Sequence, residues 1–209
     1  MQPFINVPGD RNVSFHAYER PIVQLAVFAL AYREAARALV KRFAAEGYAD
    51  YDGYPILYLY RHALELYLKA VVYRGASLLG LLTGSAPETK RLFEHHQFAP
   101  LLAPLRTILA TMKSDIRGAG FRSFDEFETF LRTLDGLDPG SYTFRYPVNR
   151  QGIISTPQRL TINVVAFANV CDPLLDYLEG VVEMIDDHWH SMAKAQSEIQ
   201  QFLESDGQA

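Results

Sequence analysis

The chain has 209 residues, 49% of them hydrophobic and 21% charged, which is enough apolar material for one filled domain and excludes a disordered chain. A net charge of −4 excludes a surface coated in basic charge for nucleic acid, while leaving room for a local basic groove. Cys171 is the only cysteine, so neither an intramolecular disulfide nor a cysteine-based zinc cluster can form.

Residues 1–20 read as an irregular polar arm with Pro3, Pro8 and Gly9, and without the basic-then-apolar order of a secretion signal. Pro21 suits a first helical turn. The segment 21–46 then repeats Leu25, Phe28, Tyr32, Ala36, Leu39 and Phe43 at spacings of three and four, which predicts a first helix. Its apolar run meets Arg33, Glu34 and Arg37 too early to span a bilayer, so a soluble, cytoplasmic protein is expected. The loop "GYADYDGYP" is acidic and aromatic. Tyr48, Tyr51 and Tyr54 have faces for stacking on bases, but the neighbouring carboxylates repel a phosphate backbone, which favours helix packing or partner contact. Pro55 opens a second helix expected to reach about Gly75.

Ser85 and Glu88 have the spacing of a capping box and predict a short helix that "HHQF" at 95–98 interrupts. An amphipathic run with Leu101, Leu105, Ile108 and Met112 follows, closed by Gly118 and Gly120. Ser123 and Glu126 form a second capping box, leading a helix with Phe127, Phe130, Leu131 and Leu134. Residues 136–156 do not read as helical; Pro, Gly, Tyr and Thr favour extended chain and turns, and a short hairpin near 140–155 fits. Thr156 with Pro157 offers a helix entry. From Leu160 through Val164, Phe167, Cys171, Leu174, Leu178, Val181, Ile185 and Trp189 to Met192, apolar residues recur over about four heptads. This predicts one long C-terminal helix, kinked or split at Pro173, and a polar tail over 195–209. The expectation is a single all-α domain, an up-and-down helical bundle, whose long seam exposes enough apolar surface for a homodimer.

The second helix poses the functional question. Sixteen of the twenty residues in "YPILYLYRHALELYLKAVVY" are apolar or aromatic, and the other four are Arg61, His62, Glu65 and Lys69. At about 100° per residue, Arg61, Glu65 and Lys69 stack one turn apart, with His62 in the same arc. Such a stripe is either a solvated row of i,i+4 pairs or, on a central helix, a polar site facing a neighbour or a cleft.

The segment "RHALELYLK" resembles the second-helix signature of HEPN-domain proteins, the "higher eukaryotes and prokaryotes nucleotide-binding" helical bundles. A His-containing segment before the third helix, "HHQFAPLL" with His96 as the nearer match, and the "FRYP" of Phe144, Arg145, Tyr146 and Pro147 are similar to pieces found in some members, in the same order. The resemblance covers roughly residues 20 to 185 and implies an up-and-down bundle, often dimeric. The family includes RNA-cleaving toxins of defence systems, nucleotide-binding accessory domains and members without known chemistry. Its ribonucleases use an Arg, four to six residues, then a His near a late helix. Here Arg145, Arg150 and Arg159 lack that His, and Arg91 to His96 has the spacing before the third helix instead, which reads as coincidence.

Helix phase brings Arg61, Glu65 and Lys69 together, and the resemblance adds His96, Arg145 and Tyr146 to make one candidate polar site for a nucleotide or RNA. In it Glu65 holds Arg61 or Lys69, a spare positive charge meets phosphate, Tyr146 stacks and His96 moves a proton. The competing reading is a structural or protein-interaction module, antitoxin-like or regulatory, in which the same groups form a buried network. No phosphate-loop, nucleophile-elbow or metalloprotease motif occurs, and no cofactor is implied. His188 and His190, beside Asp186 and Asp187, point some 200° apart on a helix and do not chelate one metal together. Cys171 lies on the apolar seam as a core residue.

Overall fold

The computed structural model describes residues 21–46, 50–84, 89, 91–149, 151–156 and 160–206. Among these residues five α-helices make an all-α, up-and-down bundle: α1 (Leu25–Glu46), α2 (Gly53–Thr83), α3 (Ala99–Thr111), α4 (Phe124–Leu137) and α5 (Val164–Asp206). Short 3-10 turns at Pro21–Gln24, Asp50–Asp52 and Ile116–Ala119 join or precede them. No helix among the described residues is long and apolar enough to cross a membrane. The arm 1–20, Tyr48 and the Ser85–Glu88 capping box lie outside the described residues.

Helix α2 is the hub, packed against α1, α5 and α3. Its apolar residues occur on nearly every side, and Leu64, Leu68 and Val71 are wholly buried. Each such side chain stabilises the fold by about 1.5–3 kcal/mol of transfer free energy. The helix does not stop at Gly75. It continues to Thr83 and ends where Gly84, at φ 71°, returns its N–H to the Gly80 carbonyl. Gly75 is instead a packing residue. A Cβ placed on it would lie 2.6 Å from Ile108 Cγ2 of α3, so glycine permits the close approach of the two helices.

The buried face of α1 is Ala29, Arg33 and Ala36, while Phe28, expected on the seam, is 51% exposed. Arg33 anchors this buried face to α5. Its guanidinium pairs with Asp176 and, at 2.9 Å, with Glu179 of α5. Arg37 adds a 2.9 Å bond to Asp172. The Ser123 cap forms as expected, its Oγ accepting from the Glu126 N–H at 3.3 Å, and the Glu126 carboxylate reaches back to the Arg122 N–H at 2.7 Å.

Between α4 and α5 the described residues are irregular, with an antiparallel bridge between Val148 and Ile154. Helix α5 starts later than Thr156. Residues 160–163 are not helical, and the Asn163 side chain caps the first turn by accepting from the Ala166 N–H at 2.9 Å. Pro173 does not split the helix, and the backbone stays helical through the segment expected as a tail, to Asp206. Burial of the seam ends at Ile185, and Trp189 is 41% exposed.

Candidate functional site

The phase of α2 places Arg61, Glu65 and Lys69 on one line, and all three are buried, at 1%, 2% and 4% exposure. Glu65 is the centre. Its Oε1 accepts from Lys69 Nζ at 2.7 Å and lies 3.0 Å from His96 Nδ1, while Oε2 is 3.4 Å from Arg61 Nη1. An ionised carboxylate only accepts, so the Nδ1 nitrogen carries the proton in the His96 contact. Arg61 also donates to the main-chain carbonyls of His96, at 2.8 Å, and Asp138, at 3.0 Å. Its Nε stands 3.4 Å from the fully buried Asp138 carboxylate. Lys69 donates to the His95 carbonyl at 2.9 Å.

The stripe thus ties α2 to the segment before α3 and to the end of α4. Asp135 completes the knot by accepting from the Phe98 and Ala99 N–H groups, each at 2.9 Å, at the N-terminus of α3. Apolar groups wall it in: Phe98 lies 4.8 Å from the Arg61 guanidinium and Phe93 5.7 Å from the Lys69 ammonium. The expectation that Glu65 leaves one cation spare is therefore corrected. Glu65 engages both cations, and Asp138 supplies a second negative charge to Arg61. Charges this deep persist because they are paired and hydrogen-bonded.

His96 is where the network meets solvent, with its side chain 51% exposed. Arg145 is exposed as well, but sits in a neighbouring cluster. No hydrogen bond or ion pair among the described residues joins it to the Glu65 network, and none joins it to a carboxylate. Its Nε donates to the Ser141 carbonyl, and its guanidinium lies 5.2 Å from the ring of Tyr58, 5.3 Å from Tyr142 and 5.8 Å from Tyr146. The turn that holds it hangs on Asp138, which accepts from the Thr143 N–H at 2.9 Å, and on Ser141, buried at a left-handed φ of 58°. Tyr146 is 52% exposed, with its ring centre 6.2 Å from that of Tyr142.

The two clusters meet through α2. Tyr58 stacks on His62 with ring centres 5.6 Å apart, and Tyr32 meets the same imidazole edge-on at 4.5 Å. Burial pushes the His62 pKa down; Glu65 opposes this, and the positive groups of Arg145, His96 and Lys69 reinforce it. Burial pushes the Tyr58 hydroxyl up, with Arg145 opposing.

Sequence reasoning missed Asp135, Asp138, Tyr58 and Tyr142. Tyr58 was legible in principle, one turn before Arg61 and His62 on the same face. Asp138, followed by Pro139 and Gly140, carries the signature of a turn and nothing of a buried ion pair. The other candidates are structurally accounted for. His188 Nδ1 lies 2.8 Å from the Met184 carbonyl of its own helix. Cys171 is fully buried, and burial drives its thiol pKa well up, so it is an inert core group. Among the described residues no three His, Cys, Asp or Glu side chains gather to hold a metal.

No family model matches the chain, and neither a curated protein nor a solved structure matches it.

Proposed function

We propose that this chain is a HEPN-like helical module that binds the phosphate of a nucleotide or RNA at the surface shared by Arg145, Tyr146 and His96. One observation carries the reading: Arg145 is an exposed cation set among three tyrosines, with no carboxylate partner among the described residues, and it and the solvent-facing His96 that buried Glu65 orients both act on the charge of His62. A guanidinium held this way keeps donors for a phosphate, and a tyrosine face accepts a base. Arg61 and Lys69 act behind this surface as the charges that fix Glu65 and the 95–98 segment. The ribonuclease pair of the family is absent at its usual place, so binding rather than cleavage is the proposed activity, in a defence or toxin–antitoxin setting, in the cytoplasm and as a homodimer.

The test is fluorescence anisotropy with a labelled single-stranded RNA oligonucleotide at low and high salt. The reading expects salt-sensitive binding that Arg145→Glu abolishes. Binding unchanged by Arg145→Glu overturns it.

A second reading has its own observation. Arg61, Glu65 and Lys69 bond one another and three main-chain carbonyls inside the protein, which suits a scaffold that presents its surface to a protein partner. It predicts no RNA binding by the wild type.

A further inference from the structure

A cavity of about 320 Å³ opens between the start of α2, the Asp50–Asp52 turn and the chain leading into α5, with Asp50, Tyr54, Leu57, Phe144, Thr161 and Val164 on its walls. Its size falls at the lower end of the range for small-ligand pockets. The wall is mixed: aliphatic side chains, the aromatic rings of Tyr54 and Phe144, the hydroxyl-bearing Thr156 and Thr161, and the carboxylate-bearing Asp50. Among the described residues no hydrogen bond or ion pair engages the Asp50 carboxylate.

The cavity adjoins the Arg145 surface in two ways. Phe144, on its wall and buried, is the chain neighbour of Arg145, which faces outward. Tyr54, on the wall, is one helical turn, about 6 Å, from Tyr58, whose ring lies under the Arg145 guanidinium. One end of this surface is therefore a cavity that carries a carboxylate, and the other an exposed cation, linked by the Phe144–Arg145 chain step and by the turn of α2 from Tyr54 to Tyr58. The acidic loop that disfavours a phosphate backbone is suited to a base that presents N–H donors.

We infer that the cavity takes the base of a guanine nucleotide whose phosphate meets Arg145; this rests on the phosphate-binding reading above. The choice among bases follows from donor and acceptor chemistry. Guanine offers two adjacent donors, N1–H and the N2 amine, to the two oxygens of a carboxylate. Adenine and cytosine set an acceptor nitrogen beside their amine, and uracil flanks its one N–H with carbonyls, so each turns a lone pair toward Asp50. Tyr54 and Phe144 supply the aromatic faces, and Leu57 and Val164 exclude water.

The experiment is calorimetric titration of GMP, AMP and guanosine into the full chain and into Asp50→Asn, Thr161→Trp and Arg145→Ala, each checked for native helicity by circular dichroism. GMP is expected to bind at least about tenfold more tightly than AMP. Asp50→Asn, which replaces an acceptor by an amide donor at an exposed position, and Thr161→Trp, which fills the cavity, should each weaken GMP and guanosine by about tenfold or more. Arg145→Ala should weaken GMP and leave guanosine unchanged. Equal binding of GMP and AMP, or GMP binding indifferent to both cavity variants, overturns the inference; if Arg145→Ala still weakens GMP, the phosphate-binding reading stands. Wild-type protein that binds the RNA oligonucleotide but neither GMP nor guanosine also overturns the inference alone.

Discussion

Glu65 and His96, separated by 31 positions in the chain, are joined by a 3.0 Å contact between Oε1 and Nδ1 that links a buried ion network to the surface. The carboxylate is 2% exposed and the imidazole half exposed. The pair therefore converts charges inside the bundle into the fixed orientation of a solvent-facing ring.

Removal of Glu65 tests the buried half of this arrangement. Glu65→Ala leaves Arg61 with Asp135 and Asp138 and strips Lys69 of its only carboxylate among the described residues. The expected loss is about 3–5 kcal/mol of unfolding free energy, measured by urea titration, because a buried cation loses its partner. A loss under about 1 kcal/mol would mean that the network is hydrated in solution.

Acidification tests His62. Burial depresses its native pKa, so the folded state binds fewer protons than the unfolded chain. Stability from this group is complete above about pH 6.5 and is lost as pH falls toward the depressed native value. His62→Phe keeps a ring between Tyr32 and Tyr58 and removes the titration. Urea midpoints compared at about pH 7.5 and pH 5.5 should fall more for the wild type than for His62→Phe. Parallel pH profiles would contradict this.

Gly75→Ala tests the contact between α2 and α3. Helix propensity alone favours alanine by about 1 kcal/mol, but overpacking costs about 1–3 kcal/mol. The new methyl would fall within 2.9 Å of three Ile108 atoms, and Ile108 is fully buried, so net destabilisation is expected. The double variant Gly75→Ala/Ile108→Ala should be more stable than the sum of the single effects. Thermal melts of the three variants decide it.

The assembly is testable by light scattering. Val165, Val170 and Trp189 leave apolar surface on α5, and a homodimer should appear at twice the 23.6 kDa chain mass at tens of micromolar. A mass of one chain contradicts the dimer.

The parts of the fold set by periodicity were legible in the sequence. The α4 capping box and the three-and-four spacing of the α5 seam correspond to elements of the structure. Glycine misled at Gly75, because a residue that breaks an isolated helix also allows two helices to touch, and only tertiary packing distinguishes the cases. Of the two outcomes expected at Pro173, a kink or a split, the helix is not split: one helix runs from Val164 to Asp206 with the proline inside it. Within the candidate site, helix phase alone aligned Arg61, Glu65 and Lys69. The carbonyls that satisfy them and the Asp138 carboxylate are long-range partners, which no local pattern encodes.

The most direct measurement is a paired one on Arg145→Ala: RNA affinity by anisotropy and stability by urea titration on the same protein. Arg145 is exposed and contributes ring contacts and one bond to the Ser141 carbonyl, so the unfolding free energy should stay within about 0.5 kcal/mol of wild type. RNA affinity should fall by about tenfold or more. Unchanged affinity at unchanged stability would contradict the account, and the surface around Arg145 and His96 would then not be where this protein meets phosphate.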